Sequence, residues 1–164
     1  MATANLSQYD HLPDGKGKSF AIVVSDWNSQ VTYAMLDGAV SCLKEAGVSQ
    51  DKIYIYHVSG SFELVFAAAK LINEDAALDA IIVLGSVIRG GTPHFDYVCQ
   101  GVTQGISSLN AQGKIPVVFG LLTTDNLEQA LDRCGGKYGN KGIEGAKTAL
   151  EMAVTNAMIE RDFR

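Results

Sequence analysis

The sequence lacks the features that would assign it to the metal-binding, redox or nucleic-acid-binding classes. Its three cysteines, Cys42, Cys99 and Cys134, lie far apart, form no CxxC pair and are not spaced with histidines as zinc ligands. Lysine and arginine form no cluster and the net charge is −5, so there is no basic patch for nucleic-acid phosphates or an acidic membrane surface. We therefore expect no metal, no nucleic-acid or membrane partner, and buried thiols in a reducing compartment.

Long apolar runs are also missing. No run approaches the length that spans a bilayer, and residues 1–18 contain no apolar core of signal-peptide length. This predicts a cytoplasmic protein with a flexible N-terminal tail over residues 1–18. Residues 19–164 fit one domain, and a composition of 47% hydrophobic and 19% charged residues is typical of a folded rather than a disordered chain.

Four short apolar runs rich in β-branched residues predict the strands of a sheet. They are Phe20–Val24, Ile53–Val58, Ala80–Leu84 and Pro116–Leu122. Each run is nearly continuous rather than alternating, which predicts strands that are buried on both faces. A stretch with helical spacing follows each run, and a last helix is expected from Ile143 to about Arg161. Strand and helix in alternation predict an α/β fold, a three-layer α/β/α sandwich with a four-stranded parallel sheet.

Several local signals predict where the helices begin and end. The first helix should end at Gly47, a natural C-terminal residue. The second is expected over Phe62–Leu71, and the third over Tyr97–Leu109. Asp125, with Glu128 three residues later, predicts a capping box that opens a short helix through Arg133.

Ligands of such sheets bind beyond the carboxyl ends of the strands, so the residues after each strand are the candidates for function. After the first strand comes Trp27, the only tryptophan, which either covers the core or offers a flat face to a planar ligand. After the second strand, Gly60 permits a tight turn and Ser61 can cap the following helix. Glu63 would favour the helix dipole in that first turn, so capping and binding both remain open for this segment.

The segment after the third strand, Gly85–Asp96, carries the densest signal. Gly90 and Gly91 let the backbone approach an anion, and Thr92 with Pro93 opens a helix whose free N–H groups attract a phosphate. The Lys of a Walker loop and the spacing of GxGxxG are both absent, which argues against a nucleotide. His94, in or near the first helical turn, is either a proton-transfer group or a capping or solvated histidine.

The region after the fourth strand is less informative. Phe119 lies inside the predicted strand and is expected in the core, and Arg133 ends a helix, where a cation is favourable on dipole grounds alone. The glycine-rich, cationic stretch from Gly135 to Gly142 fits a plain flexible connection as well as a functional loop.

Taken together, four ordered segments resemble the lumazine synthase family. They are Gly85–Val98, Asn140–Gly142, Gly60–Leu64, and Pro116–Gly120 with the following Thr123, Glu128–Ala130 and Arg133. The resemblance implies a flavodoxin-like, doubly wound fold. It also implies condensation of 5-amino-6-(D-ribitylamino)uracil with 3,4-dihydroxy-2-butanone 4-phosphate to 6,7-dimethyl-8-ribityllumazine, the penultimate step of riboflavin biosynthesis, without a metal or organic cofactor.

The resemblance also implies roles for individual residues. His94 matches the proton-transfer residue, and Arg133 the cation that pairs with the substrate phosphate. The substrate-binding residues that it implies are Trp27 and Asn28 at the pyrimidine ring, Ser61, Phe62 and Glu63 at the ribityl chain, Ser86, Val87 and Ile88 at the heterocycle edge, Gly91 and Thr92 at the phosphate, and Phe119 with Lys141. Phe119 and Arg133 resemble residues that complete the pocket from a neighbouring subunit.

The chain departs from the family pattern at three positions. Ser59 and Val65 stand where prolines are usual, and Asp26 stands where an arginine is common.

Family members form pentamers, some of which assemble into icosahedral shells, and the short loop from Gly135 to Gly142 favours a shell. Two alternatives remain: a riboflavin synthase of the same fold, and a non-catalytic flavin- or lumazine-binding shell protein. The phosphate cradle weighs against the first, and the presence of both His94 and Arg133 against the second.

Overall fold

A four-stranded parallel sheet in the order β2-β1-β3-β4 forms the centre of the structure, a computed structural model that describes residues 12–74 and 77–163. The strands are β1 (Phe20–Ser25), β2 (Ile53–Val58), β3 (Ala80–Ile88) and β4 (Val117–Thr124). Because the strands are parallel, their carboxyl ends meet at one edge of the sheet. The four predicted strands and their parallel arrangement are confirmed.

Helices cover both faces of this sheet. They are α1 (Ser29–Glu45), α2 (Leu64–Asn73), α3 (His94–Ala111), α4 (Leu127–Leu131) and α5 (Lys141–Phe163), with short 3-10 helices at Gln50–Lys52 and Ser61–Glu63. Buried residues of α1 and α5 share one core cluster with β1 and β3, and those of α2 and α3 share the other. The predicted α/β/α sandwich is therefore confirmed. None of the described helices is both long and apolar enough to cross a membrane.

The central strands explain why the apolar runs are continuous. Phe20 and Ile22 of β1 face the α1–α5 layer, whereas Ala21 and Val23 face the α2–α3 layer. The prediction of burial on both faces is wrong for β2, whose residues from Tyr54 to His57 are exposed. This strand lies at the edge of the sheet and pairs only with β1, and a run of β-branched and aromatic residues does not reveal that position.

The third strand is longer than predicted and reaches Ile88 rather than ending at Leu84. Gly85 lies within it because no side chain fits there. A Cβ would come within 2.6 Å of Ser61 Oγ and 2.7 Å of Leu121 Cδ1. The glycine therefore serves close packing, not a turn, and Ser86, Val87 and Ile88 are strand residues.

The predicted limits of the helices are only partly right, as α1 and α4 show. The first helix ends as expected, since Gly47 (φ 90°) donates to Lys44 O at 2.9 Å and Val48 donates to Leu43 O at 3.0 Å. The capping box of α4 is one residue later than predicted. Asn126 Oδ1 accepts from the Gln129 N–H at 2.9 Å, and Gln129 Oε1 accepts from the Asp125 N–H at 2.9 Å.

The stretch from Gly135 to Gly142 is a built element rather than a plain connection. Its residues form a small antiparallel hairpin of β5 (Cys134–Gly136) and β6 (Gly139–Asn140). The Asn140 amide donates to Ala34 O at 2.9 Å and to Cys134 O at 3.2 Å, while its Oδ1 accepts from the Gly142 N–H at 2.8 Å. These bonds join the hairpin, the start of α5 and the middle of α1.

Residues 1–11, most of the predicted tail, lie outside the described residues. Within the part that follows, the Gly15 N–H donates to Ala46 O at 2.8 Å and Leu12 packs against the core.

Two of the three thiols are fully buried. Cys42 and Cys134 are buried as predicted and Cys99 is half-buried, and burial raises the pKa of each thiol. The described residues contain no group of three or more side chains suited to a metal ion.

Gly142→Ala should weaken the docking of α5 on α1, because the new Cβ would lie 1.8 Å from Met35 O. We expect the free energy of unfolding, measured in urea, to fall by about 3 kcal/mol. The control is Gly90→Ala, whose Cβ meets nothing within 4 Å and which should change stability by no more than about 0.5 kcal/mol. Equal effects of the two substitutions would refute a packing role for Gly142.

Candidate active site

A cavity of about 650 Å³ opens at the carboxyl ends of the strands, where the fold predicts a ligand site. The turns after β1, β2 and β3 and the first turns of α3 form its walls. The sequence-predicted residues that line it are Trp27, Asn28, Ser61, Phe62, Glu63, Ser86, Val87, Ile88, Thr92 and His94. These residues come from segments up to 67 positions apart in the chain, and parallel pairing alone brings them together.

Trp27 forms an open wall of this cavity. Its side chain is 72% exposed, so it does not cover the core. The next residue, Asn28, has left-handed backbone angles (φ 59°, ψ 43°), and its amide donates to Ser86 O at 2.9 Å. Asparagine tolerates this conformation better than most side chains. The turn after β1 is thereby attached to β3 and holds the indole face accessible at the mouth of the cavity.

Two buried hydroxyl groups lie in the cavity wall without a partner. Ser61 is 6% exposed and Ser86 is 1% exposed, and neither Oγ forms a hydrogen bond within the described residues. The prediction that Ser61 caps its helix is therefore wrong, since that helix starts as a 3-10 turn after Gly60 without a side-chain cap. Buried hydroxyls are normally satisfied, so both are free to bond a polar ligand or a water molecule.

The loop after β3 presents unpaired amides beside a histidine. In the described part of the chain, the backbone N–H groups of Gly90, Gly91 and Thr92 donate to no protein acceptor. A Cβ at Gly90 or Gly91 would meet nothing within 4 Å, so the space above these amides is open. Helix α3 begins directly after, at His94, which is exposed and lines the cavity. Free amides and a helix N-terminus together favour an anion here.

Arg89, which the sequence reasoning did not single out, holds this loop in place. Its guanidinium donates to both carboxylate oxygens of Asp96, at 3.0 and 3.3 Å, and to Asp125 Oδ1 at 3.2 Å. It also lies 4.1 Å from the ring centroid of Phe95. The hydrogen bonds that Arg89 donates to Asp96, ahead of the bond that it donates to Asp125, raise the pKa of Arg89. Its donors are thus engaged in joining β3, α3 and the loop after β4.

Other residues missed from the sequence lie on the first turns of α3. Phe95, Tyr97 and Val98 line the cavity, and Tyr97 is 72% exposed. These three residues receive no role of their own from the sequence. Only the position of the helix start, at His94 rather than Tyr97, would have indicated that this turn faces the cavity.

Four predicted site residues do not line this cavity. Gly91 belongs to the loop at its rim, as described above. Phe119 and Lys141 line a cavity of about 540 Å³ between β4 and α5. Arg133 lines a third, of about 550 Å³, beside α4.

Phe119 is not a core residue, contrary to the default expectation, because β4 is the other edge strand of the sheet and leaves its ring 37% exposed. Arg133 lies over the ring of Tyr138, with its guanidinium carbon 5.2 Å from the centroid. It makes no ion pair in the part of the chain that the structure describes. Arginine is well suited to bind a phosphate, but within one chain this cation and His94 line different cavities.

The fold and cavity are those of a flavodoxin-like α/β protein with a ligand site at the carboxyl edge of its sheet. The family profile described as 6,7-dimethyl-8-ribityllumazine synthase matches residues 17–157. Proteins of that name are 54% identical in Porphyromonas gingivalis, over 93% of this chain and 97% of that protein, and 45% identical in Pediococcus pentosaceus, over 96% and 100%. The counterpart of Bacteroides fragilis is 57% identical, over 81% and 92%. This chain belongs to the 6,7-dimethyl-8-ribityllumazine synthase family, as its four segments predicted.

Ser61→Ala should leave the free energy of unfolding unchanged or raise it, since the hydroxyl that it removes is buried without a partner. The control is Thr124→Val, which removes a buried hydroxyl that donates to Asn126 O at 3.1 Å and should cost about 1 kcal/mol. Urea unfolding measures both. A loss for Ser61→Ala as large as that of the control would show that its hydroxyl stabilises the fold rather than awaiting a ligand.

Proposed function

We propose that this chain condenses 5-amino-6-(D-ribitylamino)uracil with 3,4-dihydroxy-2-butanone 4-phosphate. The products are 6,7-dimethyl-8-ribityllumazine, phosphate and two molecules of water. The enzyme is thus a transferase of riboflavin biosynthesis, and we place it in the cytoplasm and assign it no cofactor. The observation that carries this proposal is the single cavity in which an open indole face, two unpaired hydroxyls, unpaired amides and His94 meet. Membership of the family supports the same reaction.

The cavity offers each part of the ribitylated pyrimidine a matching surface. We assign the ring to the face of Trp27, where a planar heterocycle stacks favourably. The ribityl hydroxyls would pair with Ser61 Oγ and with the carboxylate of Glu63, beside Phe62. The heterocycle edge would meet the end of β3, at Ser86, Val87 and Ile88, with Asn28 alongside. A polyhydroxylated ligand would satisfy the hydroxyls that the folded chain leaves unpaired.

The phosphate of the second substrate fits the loop after β3. Amides of Gly91 and Thr92 and the N-terminus of α3 would hold its oxygens, next to the imidazole of His94. The uracil amine attacks the ketone to give a carbinolamine, which loses water to form an imine, after which phosphate leaves by elimination. The enol that remains tautomerises to a ketone, the second amine adds to this ketone, and loss of a second water completes the ring. Several of these steps move protons, which a histidine can relay near neutral pH. Holding two substrates in register supplies much of the remaining rate.

Completion of the site by a neighbouring subunit forms the next part of the proposal. Arg133 is separated from His94 within one chain, and we assign it to the phosphate held by the adjacent subunit. Phe119 and Lys141, which line the cavity at the β4 edge, would approach the same site from that neighbour. A homopentamer supplies such a boundary at every subunit. The short hairpin segment from Gly135 to Gly142 favours further assembly of pentamers into an icosahedral shell.

Two other functions explain less of the cavity. A riboflavin synthase of this fold would have no phosphate for the free amides at Gly90, Gly91 and Thr92. A non-catalytic flavin- or lumazine-binding shell protein would not need His94 beside them. Mixing the two substrates and following the absorbance of the lumazine separates the three functions. Product formation supports the synthase, whereas binding of the product without its formation would refute it.

His94→Ala should slow turnover by roughly 10²–10⁴-fold without abolishing it, because the proton relay is lost while the positioning of the substrates remains. Product absorbance under saturating substrates measures the rate. As the control within the same variant, quenching of Trp27 emission by the ribitylated pyrimidine should persist at unchanged affinity. A variant that turns over as fast as the unaltered enzyme would remove His94 from the mechanism.

Arg133→Ala should mainly weaken the phosphate-bearing substrate and raise its KM, because a guanidinium pairs with phosphate oxygens. The matched control is Arg161→Ala, which removes an exposed arginine near the end of α5 and should leave KM unchanged. An Arg133→Ala enzyme with unaltered affinity for this substrate would contradict the assignment.

Mixing the two variants tests the shared site directly. When His94→Ala and Arg133→Ala subunits are unfolded together and reassembled at equal ratio, about a quarter of random boundaries join an intact His94 to an intact Arg133. Activity should therefore rise well above that of either variant assembled alone. If His94 and Arg133 served a site within one chain, the activity of the mixture could not exceed that of the more active variant assembled alone.

A further inference from the structure

A hydrogen-bonded cluster outside the cavity joins three elements next to Trp27. Asp26 Oδ1 accepts from the Tyr33 hydroxyl at 2.8 Å and lies 2.7 Å from His57 Nδ1. Asp26 belongs to the turn after β1, Tyr33 to α1 and His57 to the edge strand β2. The rings of Tyr33 and His57 also meet edge to face, with centroids 5.6 Å apart. We call these three residues the Asp26 cluster.

The electrostatics of the cluster agree with its geometry. Hydrogen bonds from His57, and then from Tyr33, lower the pKa of Asp26. The bond to this carboxylate also raises the pKa of Tyr33. The carboxylate is therefore the acceptor for both neighbours around neutral pH, and one charged oxygen holds a helix and a strand against the turn.

The turn that this cluster holds is the one that carries Trp27. The Asp26 N–H donates to Val58 O at 2.8 Å and the Trp27 N–H donates to Ser59 O at 3.1 Å, which continues the β1–β2 pairing past the strands. On the other side, Asn28 donates to Ser86 O. The indole is 72% exposed and makes no hydrogen bond within the described residues. Little of the protein covers the ring, so the placement of the indole depends strongly on the turn that carries it.

The cluster is poorly suited to a role in stability. The side chains of Asp26 and His57 are 47% and 45% exposed, and ion pairs in such positions contribute little to the free energy of unfolding. Backbone hydrogen bonds already attach the turn to β2. An arginine at position 26 could not accept either of the two bonds, so this arrangement depends on the carboxylate of Asp26.

We propose that Asp26, His57 and Tyr33 are positioning residues that fix the orientation of Trp27 at the mouth of the cavity. By holding the indole face in register, they set the affinity for the planar ring of the amine substrate. The substrate part of this inference rests on the proposed function, whereas the orientation of Trp27 in the unliganded protein does not.

The test uses Trp27 as its own probe, since it is the only tryptophan. Asp26→Ala should lower the fluorescence anisotropy of the unliganded protein and increase quenching by acrylamide, because the indole gains freedom. It should raise KM for the ribitylated pyrimidine by about tenfold, less than the roughly 10²-fold that a misplacement of 1 Å can cost. The urea midpoint, and KM for the phosphate-bearing substrate, should stay the same. Asp26→Asn keeps an acceptor oxygen, so its fluorescence anisotropy and its KM for the ribitylated pyrimidine should match those of the unaltered protein.

The matched control compares two tyrosines. Tyr33→Phe removes the hydroxyl that reaches Asp26 and should shift the anisotropy in the same direction as Asp26→Ala. Tyr56→Phe, on β2 and similarly exposed, removes a hydroxyl that is not part of the cluster and should shift nothing.

Two outcomes would overturn the inference. One is an unchanged anisotropy and KM in Asp26→Ala, and the other is an anisotropy change that appears only together with a lowered urea midpoint. An enzyme that is inactive before any substitution would count against the proposed function alone, because the anisotropy of the unliganded protein still decides whether the cluster orients Trp27.

Discussion

The unequal pairing of β3 with its two neighbours shapes the cavity at the carboxyl edge of the sheet. On one side, β3 pairs with β1 only as far as Leu84, whereas on the other it pairs with β4 up to Ile88. The last four residues of β3 therefore project past the end of β1 while remaining attached to β4. This overhang is the floor of the cavity. The backbone oxygen of Ser86, which has no β1 partner, accepts from Asn28 instead, and that bond closes the gap with the turn that carries Trp27.

The same overhang places the loop that we propose to bind the phosphate. Arg89 continues the β3–β4 pairing, since its N–H donates to Thr124 O at 2.8 Å, and its side chain ties Asp96 and Asp125 together. The next two residues, Gly90 and Gly91, lie outside the sheet, and their backbone N–H groups have no partner within the described residues. Helix α3 starts shortly after them, at His94. Arg89 is already paired with two carboxylates, which offset its charge beside the loop. The proposed pentamer therefore assigns the cation for the phosphate to Arg133, which makes no ion pair in the described part of the chain.

The sequence predicted the elements of this fold better than their limits. The four apolar runs identified the strands because central strands are apolar on both faces, but the same composition at β2 hid an exposed edge. The predicted third strand ends at Leu84, before Gly85, and only the close approach of Ser61 and Leu121 shows that Gly85 is a packing glycine within the strand. At α4, Asp125 with Glu128 and Asn126 with Gln129 fit a capping box equally well. Choosing between them required the backbone geometry.

The limits of the site prediction have a different cause. Ten of the residues that the resemblance implies line one cavity, whereas Phe119, Lys141 and Arg133 lie elsewhere, and the resemblance gives no role to Arg89, His57 or Tyr33. In the proposed arrangement these three residues do not touch a ligand. They hold the backbone of the turns and loops whose other residues do. Ser61 and Ser86 differ from these residues, because their unpaired buried hydroxyls are unfavourable for folding. In the proposed function these hydroxyls bond the ligand. The residues that stabilise this fold and the residues that shape its cavity are thus largely different. Measurements of the free energy of unfolding alone would therefore overlook the residues that shape the cavity.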